Sequence, residues 1–133
     1  MIFVDTGAFL ARYHAQDDHH QEALTSWARL ERRRGAICTS NFVLDETFAL
    51  LGRRAGHAFA ADKARRIYSS PAFTILRPGL EDEARAVELF AKYADQEVSF
   101  TDCVSFALMA RHRLTRVFGY DAHFARAGFS LWR

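Results

Sequence analysis

The sequence has few of the residues that brace or divide small proteins. Its two cysteines, Cys38 and Cys103, stand far apart and lack the close pairing of a zinc site, so we expect two buried thiols. Its two prolines and seven glycines form no linker, and no repeat or low-complexity tract divides the chain. A chain of 133 residues can bury roughly two-thirds of its unfolded surface without a disulfide or a metal. We therefore expect one domain over residues 1–133.

The sequence also lacks a long apolar run. No uninterrupted stretch approaches the roughly 20 apolar residues of a membrane helix. No positively charged segment is followed by the apolar core of a signal peptide. We expect a soluble, cytoplasmic protein without a membrane partner.

Lysine is scarce, whereas arginine is abundant. Of the 18 basic residues only Lys63 and Lys92 are lysine, and arginines cluster at 32–34, 53–54 and 65–66. Guanidinium groups pair with phosphates in a bidentate manner. A coding bias or solvated helix faces explain each cluster equally well. The net charge of +2 does not by itself identify a nucleic-acid binder.

Short apolar runs alternate with longer segments of helical periodicity. The periodicity predicts strands at about 2–4, 36–39, 73–76, 116–120 and 129–132, and helices at about 6–15, 19–34, 40–54, 57–70, 80–93, 101–112 and 122–127. Strands separated by helices indicate an α/β fold with a central parallel sheet and helices on both faces.

Four acids occupy positions where such a fold commonly has its functional residues. Asp5 ends the first apolar run and Asp121 follows the fourth, which places both at the carboxyl edge of the sheet, where open α/β folds bind ligands. Glu46 and Asp102 are expected in the first turns of helices that start from the same edge. Gathered carboxylates repel one another unless a hard cation neutralises them.

Each acid also has an ordinary explanation. Asp5, Asp102 and Asp121 suit helix caps or first turns, where free N–H groups and the helix dipole favour a carboxylate. Glu46 suits a solvated helix face. Its neighbour Asp45 borders the other edge of the same apolar stripe, so spacing alone does not choose between the two.

Other chemistries have weaker support. His14, His19 and His20 invite a zinc interpretation but have no cysteine or carboxylate partners at zinc-site spacing. A phosphoaspartyl phosphatase needs a second aspartate two residues after Asp5, where Gly7 stands. The chain has no glycine-rich phosphate loop. A Ser-His-Asp arrangement stays open, although no serine lies in a nucleophile-elbow sequence.

Four segments together resemble the motifs of PIN domains, and most closely those of VapC-type ribonuclease toxins. They are Ile-Phe-Val-Asp-Thr-Gly-Ala-Phe-Leu-Ala, Thr-Ser-Asn-Phe-Val-Leu-Asp-Glu-Thr, Ser-Phe-Thr-Asp-Cys-Val-Ser-Phe-Ala-Leu-Met and Gly-Tyr-Asp-Ala-His-Phe. Each is weak alone, but they occur in the family's order and with typical spacing along essentially the whole chain.

The resemblance implies a single PIN-like domain that hydrolyses RNA with Mg²⁺ or Mn²⁺ and leaves a 5′-phosphate and a 3′-hydroxyl. It implies metal binding and catalysis by four acids, with Glu46 preferred to Asp45. Asp5 and Asp102 would hold a metal, and Glu46 and Asp121 would hold a second ion or act through water. Thr6 and Thr101 match positions that assist the metal or water, and Arg12 and Arg53 are candidates for contacts with the RNA backbone.

The resemblance further implies that the protein is the toxin of a toxin–antitoxin pair. It implies that the chain binds a cognate antitoxin protein and forms a homodimer. The alternative from another class is a non-catalytic domain of the same fold that binds RNA or protein. The intact set of acids disfavours it, because a binding domain has no need to gather four carboxylates.

Overall fold

The five strands form one parallel sheet, described here from a computed structural model of residues 1–133. The strands are β1 (Ile2–Val4), β2 (Ile37–Ser40), β3 (Phe73–Leu76), β4 (Arg116–Phe118) and β5 (Ser130–Trp132), and their order across the sheet is β3-β2-β1-β4-β5. The predicted α/β class and parallel sheet are confirmed.

Seven α-helices connect the strands. They are α1 (Thr6–Tyr13), α2 (His20–Arg32), α3 (Asn41–Ala55), α4 (His57–Ser69), α5 (Leu80–Lys92), α6 (Phe100–Arg111) and α7 (Ala122–Arg126), and one 3-10 turn (Ala94–Gln96) precedes α6. The expected elements are all present, with ends shifted by one or two residues. The 3-10 turn was not predicted, because three residues carry no periodicity. None of the helices has the length and apolarity needed to cross a membrane.

The strand order reverses direction next to β1. The chain steps from β1 to β2 to β3 toward one edge, then returns past β1 to β4 and β5. Right-handed crossovers place the helices of the two halves on opposite faces of the sheet. The crevice at the carboxyl ends of β1 and β4 is the switch point where open α/β sheets bind ligands.

Apolar residues fill both sides of the sheet. β1 is completely buried, as expected for a central parallel strand. On one face the rings of Phe9, Trp27, Phe73 and Phe118 pack together, and the indole of Trp27 donates to the Ala8 carbonyl at 3.0 Å. The middle of α6 is buried, from Asp102 to Met109. Cys38 and Cys103 are free and buried, as expected.

Candidate active site

The acid that follows β1 is buried at the switch point. Asp5 is 3% exposed, and its N–H donates to the Phe118 carbonyl at 3.0 Å, which extends the β1–β4 pairing by one residue. It precedes α1 but does not cap that helix with its side chain, and its Oδ1 is buried without a hydrogen-bond partner. A Cβ at Gly119 would lie 3.1 Å from the Cβ of Asp5. Glycine directly after β4 therefore leaves room for the Asp5 side chain.

A serine cap fixes Asp102 in the first turn of α6. The Ser99 hydroxyl accepts from the Asp102 N–H at 3.1 Å, and the Asp102 side chain is directed into the same crevice as Asp5. On α3 the matching cap is the Ser40 hydroxyl, which accepts from the Val43 N–H at 3.1 Å. Glu46 is the sixth residue of α3 and lies in its second turn, so the expectation of a first-turn position was wrong.

Asp121 ends the loop after β4. Its Oδ1 accepts from the His123 N–H at 2.8 Å, which caps the short helix α7. The His123 Nδ1 lies 3.0 Å from the same oxygen and 3.8 Å from Asp102 Oδ2. A carboxylate that caps a helix is thus placed beside a second carboxylate from α6.

These elements together enclose a concave surface of about 360 Å³. It is lined by the four predicted acids, by Glu97 as a fifth carboxylate, and by Thr6, Gly7, Leu50, Ser99 and His123. Neither lysine nor arginine is among these residues. The structure thus brings Asp5, Glu46, Asp102 and Asp121 together, while Asp45 is exposed and lies outside the crevice.

Burial and mutual repulsion act on the two most enclosed acids. Burial raises the pKa of Asp5 well above its ordinary value, and the nearby charge of Asp102 raises it further. Burial, followed by the charge of Asp121, raises the pKa of Asp102 to about 7. The protein therefore holds ionised carboxylates here only at an electrostatic cost.

The donor set fits a divalent cation. Carboxylate oxygens dominate the lining, the Oδ1 of Asp5 and the Oγ1 of Thr6 are buried without partners, and Asp102, Asp121 and His123 each offer a ligand atom within 4.8 Å of the others. Oxygen ligands with room for water are what Mg²⁺ and Mn²⁺ prefer in proteins. A bound cation would reverse the repulsion that raises the pKa of Asp5 and Asp102.

The supporting residues named from the sequence are not all at this site. Thr6 lines the crevice, whereas Thr101 does not, and its carbonyl accepts from the Ser105 hydroxyl at 3.1 Å. Arg12 lines a different cavity and pairs with Glu31, and Arg53 is exposed in the last turn of α3. The part of both arginines in RNA binding stays a prediction.

Sequence reasoning did not identify Glu97, Ser99 and His123 as members of the site. Glu97 follows the unpredicted 3-10 turn with a left-handed backbone at φ 55°. A serine three residues before Asp102 is a recognisable helix-capping signal, and His123 lies two residues after Asp121 in the same motif. Both could have been found from local spacing, whereas Glu97 could not.

Comparison with known proteins gives matches along nearly the whole chain. The family model described as PIN domain matches residues 2–130. The 23S rRNA-specific endonuclease VapC20 of Mycobacterium tuberculosis is 36% identical over 129 residues, which are 97% of this chain and 95% of that protein. A VapC ribonuclease of Archaeoglobus fulgidus is 29% identical over 125 residues, which are 92% of this chain and 78% of that protein.

Solved structures agree with the sequence matches. The crystal structure of M. tuberculosis VapC20, described as a sarcin–ricin loop cleaving toxin, superposes with a TM-score of 0.89 at 34% identity and covers 97% of this chain and 96% of that one. FitAcB from Neisseria gonorrhoeae gives a TM-score of 0.72 at 18% identity, covering 100% of this chain and 97% of that one. The second likeness shows a shared fold only.

Proposed function

This chain belongs to the PIN-domain family, and we propose that it is a divalent-metal-dependent endoribonuclease and the toxin of a toxin–antitoxin pair. The observation that carries the proposal is the crevice at the switch point of the sheet, where five carboxylates converge without a lysine or an arginine. A surface that only binds RNA would present the opposite charge to the phosphate backbone. Ionised carboxylates repel a phosphate unless a cation lies between them.

Each acid then has a role that follows from its position. Asp5 and Asp102, the two most buried acids of the crevice, would hold the cation, and Glu46 and Asp121 would hold a second ion or orient water from the crevice wall. When bound, the cation neutralises charge on the scissile phosphate and lowers the pKa of an attacking water. Ser99 and Gly119 position the acids, one by capping α6 and the other by leaving space for Asp5.

One sequence relative, VapC20, points to ribosomal RNA as the substrate. VapC20 is named for 23S rRNA and its structure for the sarcin–ricin loop, and its similarity to this chain extends over almost the full length of both. We infer that large-subunit ribosomal RNA is the first substrate to test, with products that carry a 5′-phosphate and a 3′-hydroxyl. The proposal also includes inhibition by a cognate antitoxin protein and assembly as a homodimer.

The test is a cleavage assay with purified protein and ribosomal RNA. We expect cuts at discrete positions with Mn²⁺ or Mg²⁺, no cuts in excess EDTA, and recovery when the divalent ion is restored. Asp5→Asn protein purified in the same way is the control for contaminating nucleases. Cleavage that persists in EDTA or in the variant would overturn the proposal, and so would the absence of cleavage in every RNA tested.

A further inference from the structure

A second concave surface carries charge of the opposite sign. It has a volume of about 410 Å³, and it is lined by only four residues, Arg29, Arg32 and Arg33 near the end of α2 and Trp132 of β5. None of the three arginines forms a salt bridge. Three guanidinium groups around one concavity, none of them paired with an acidic side chain, favour an anion.

Two of these arginines are held in place rather than free in solvent. The Nη1 of Arg29 donates to the Arg133 carbonyl at 2.7 Å, and its guanidinium lies 5.5 Å from the ring centre of Trp132. The guanidinium of Arg33 lies so close to Gly35 that a Cβ there would be 3.1 Å from both terminal nitrogens, and Gly35 has a φ of +131°. The Nη1 of Arg33 is shielded from solvent and has no acceptor. Ordered donors lose less conformational entropy when they bind a phosphate.

The arginine surface is connected to the catalytic crevice through aromatic rings. The ring of Trp132 packs on Phe118 of β4 at 5.3 Å between centres. The guanidinium of Arg133 lies 5.2 Å from the ring centre of Tyr120. Tyr120 directly precedes Asp121, and its Cδ2 would lie 3.8 Å from a Cβ at Gly7, a residue of the crevice. Trp132 of the arginine surface thus packs against the buried Phe118 of β4, the strand whose following loop carries Tyr120 and Asp121.

We propose that Arg29, Arg32, Arg33 and Trp132 form an RNA-binding exosite that holds the phosphodiester backbone at a distance from the cleaved bond. The inference rests on the proposed ribonuclease function and deepens it. Guanidinium forks match phosphate oxygens, and an indole offers a stacking face to a base, which is the combination that nucleic-acid channels use. The exosite would select substrates that extend beyond the cleaved linkage.

The test measures RNA binding separately from cleavage. A fluorescein-labelled RNA stem-loop is titrated in EDTA with Asp5→Asn protein, with and without the pair Arg32→Gln and Arg33→Gln. We expect the pair to weaken binding about tenfold and to reduce the slope of log affinity against log salt by about 0.7 to 0.9 for each lost phosphate contact. The matched control is Arg54→Gln with Arg65→Gln, which removes two exposed charges elsewhere and should change neither quantity by more than about twofold.

Two further readouts separate an exosite from a general charge effect. RNA should quench tryptophan emission in the Asp5→Asn protein but much less after the additional change Trp132→Phe, because Trp27 is buried. In cleavage by otherwise wild-type enzyme, Arg32→Gln with Arg33→Gln should raise KM about tenfold for the stem-loop and leave kcat within about twofold.

Equal affinity and salt slope in the exosite and control variants would overturn the exosite while leaving the nuclease proposal intact. If Arg32→Gln with Arg33→Gln left RNA binding unchanged and weakened only the binding of an acidic protein partner, the exosite proposal would be overturned as well. Absence of cleavage in the wild type would count against the proposed function, but the binding titration would still decide whether the exosite exists.

Discussion

The crevice and a larger cavity elsewhere on the surface differ in how their charged side chains are paired. The larger, of about 540 Å³, lies between α1, α2 and α4, and seven of its 12 lining residues are hydrophobic. There Arg12 contacts Glu31 at 2.9 Å and lies 4.5 Å from the ring centre of Trp27. The smaller crevice has one hydrophobic residue among ten, and its acids face no basic side chain other than His123.

The crevice gathers five acids without a lysine or an arginine, whereas the larger cavity pairs its acid with an arginine. The carboxylate of Glu31 has its counter-charge within the protein, since Arg12 lies 2.9 Å from it. The carboxylates of Asp5 and Asp102 have none, and burial raises their pKa as a consequence. A protein retains such an arrangement at a cost in stability when a ligand supplies the missing charge.

Removing one of the crevice acids that have no basic partner should have the largest effect on RNA cleavage. We expect Asp5→Asn and Asp102→Asn each to reduce RNA cleavage by at least about 100-fold, since even the outer partners of metal sites cost 10- to 100-fold when lost. Both variants should fold, and without metal they should melt at the wild-type temperature or slightly above it, because a repelling charge has gone. Initial rates with Mn²⁺ and thermal melts in EDTA measure the two effects. Wild-type rates in either variant would show that the crevice is not the active site.

Adjacent acids on α3 offer a sharper contrast. Glu46→Gln should reduce cleavage at least tenfold, whereas Asp45→Asn should stay within about twofold, because Glu46 lines the crevice and Asp45 is exposed. The two changes are chemically equivalent and one residue apart, so each controls for the other. Equal losses, or a larger loss at Asp45, would contradict the assignment of Glu46.

The raised pKa of Asp102 predicts an unusual dependence of stability on pH. Burial and the charge of Asp121 raise the pKa of Asp102 to about 7 in the folded protein, whereas the unfolded carboxyl keeps its ordinary value of 3.8, so the folded state binds more protons between these pH values. The free energy of unfolding in EDTA should therefore fall as pH rises through this window. Asp82, whose pKa is lowered by Arg111, acts in the opposite direction at lower pH, so the difference between wild type and Asp102→Asn is the quantity to plot. A difference that does not change from pH 4 to pH 7 would refute the predicted shift.

The same chemical change in the larger cavity should have the smallest effect. Glu31→Gln removes a partly exposed ion pair, which typically contributes 0.2–1 kcal/mol. We expect a melting temperature lower by at most a few degrees and a cleavage rate within about twofold of the wild type. If Glu31→Gln reduced the cleavage rate as much as Glu46→Gln does, acids with a basic partner could not be distinguished from acids without one.

The sequence predicted the main elements and two of the acid positions for clear physical reasons. Completely apolar runs such as Ile2–Val4 are typical of buried parallel strands, and an acid that ends such a run then lies at the edge of the sheet. Asp5 and Asp121 were placed in this way. The order of the strands across the sheet could not be predicted from periodicity, because strands as short as β1 and β4 carry no register signal of their own.

Other parts of the site depend on tertiary geometry. Whether Glu46 or Asp45 faces the crevice depends on how α3 rotates against α1, and the apolar stripe borders both residues. Glu97 reaches the site from a short turn with a left-handed backbone, which no periodicity indicates. That Thr6 lines the crevice and Thr101 does not likewise depends on which face of each helix is turned toward the crevice.

The most direct test of the central claim is the change in thermal stability when metal is added to the purified protein. A ligand that binds only the native state stabilises it by about 2.7 kcal/mol at 100 times its dissociation constant. We predict that millimolar Mn²⁺ raises the wild-type melting temperature by several degrees, that Mg²⁺ does so at higher concentration, and that neither affects the Asp5→Asn, Asp102→Asn double variant. A wild-type melting temperature unchanged by either ion, both alone and with a non-cleavable RNA analogue that could complete the ligand set, would contradict the account.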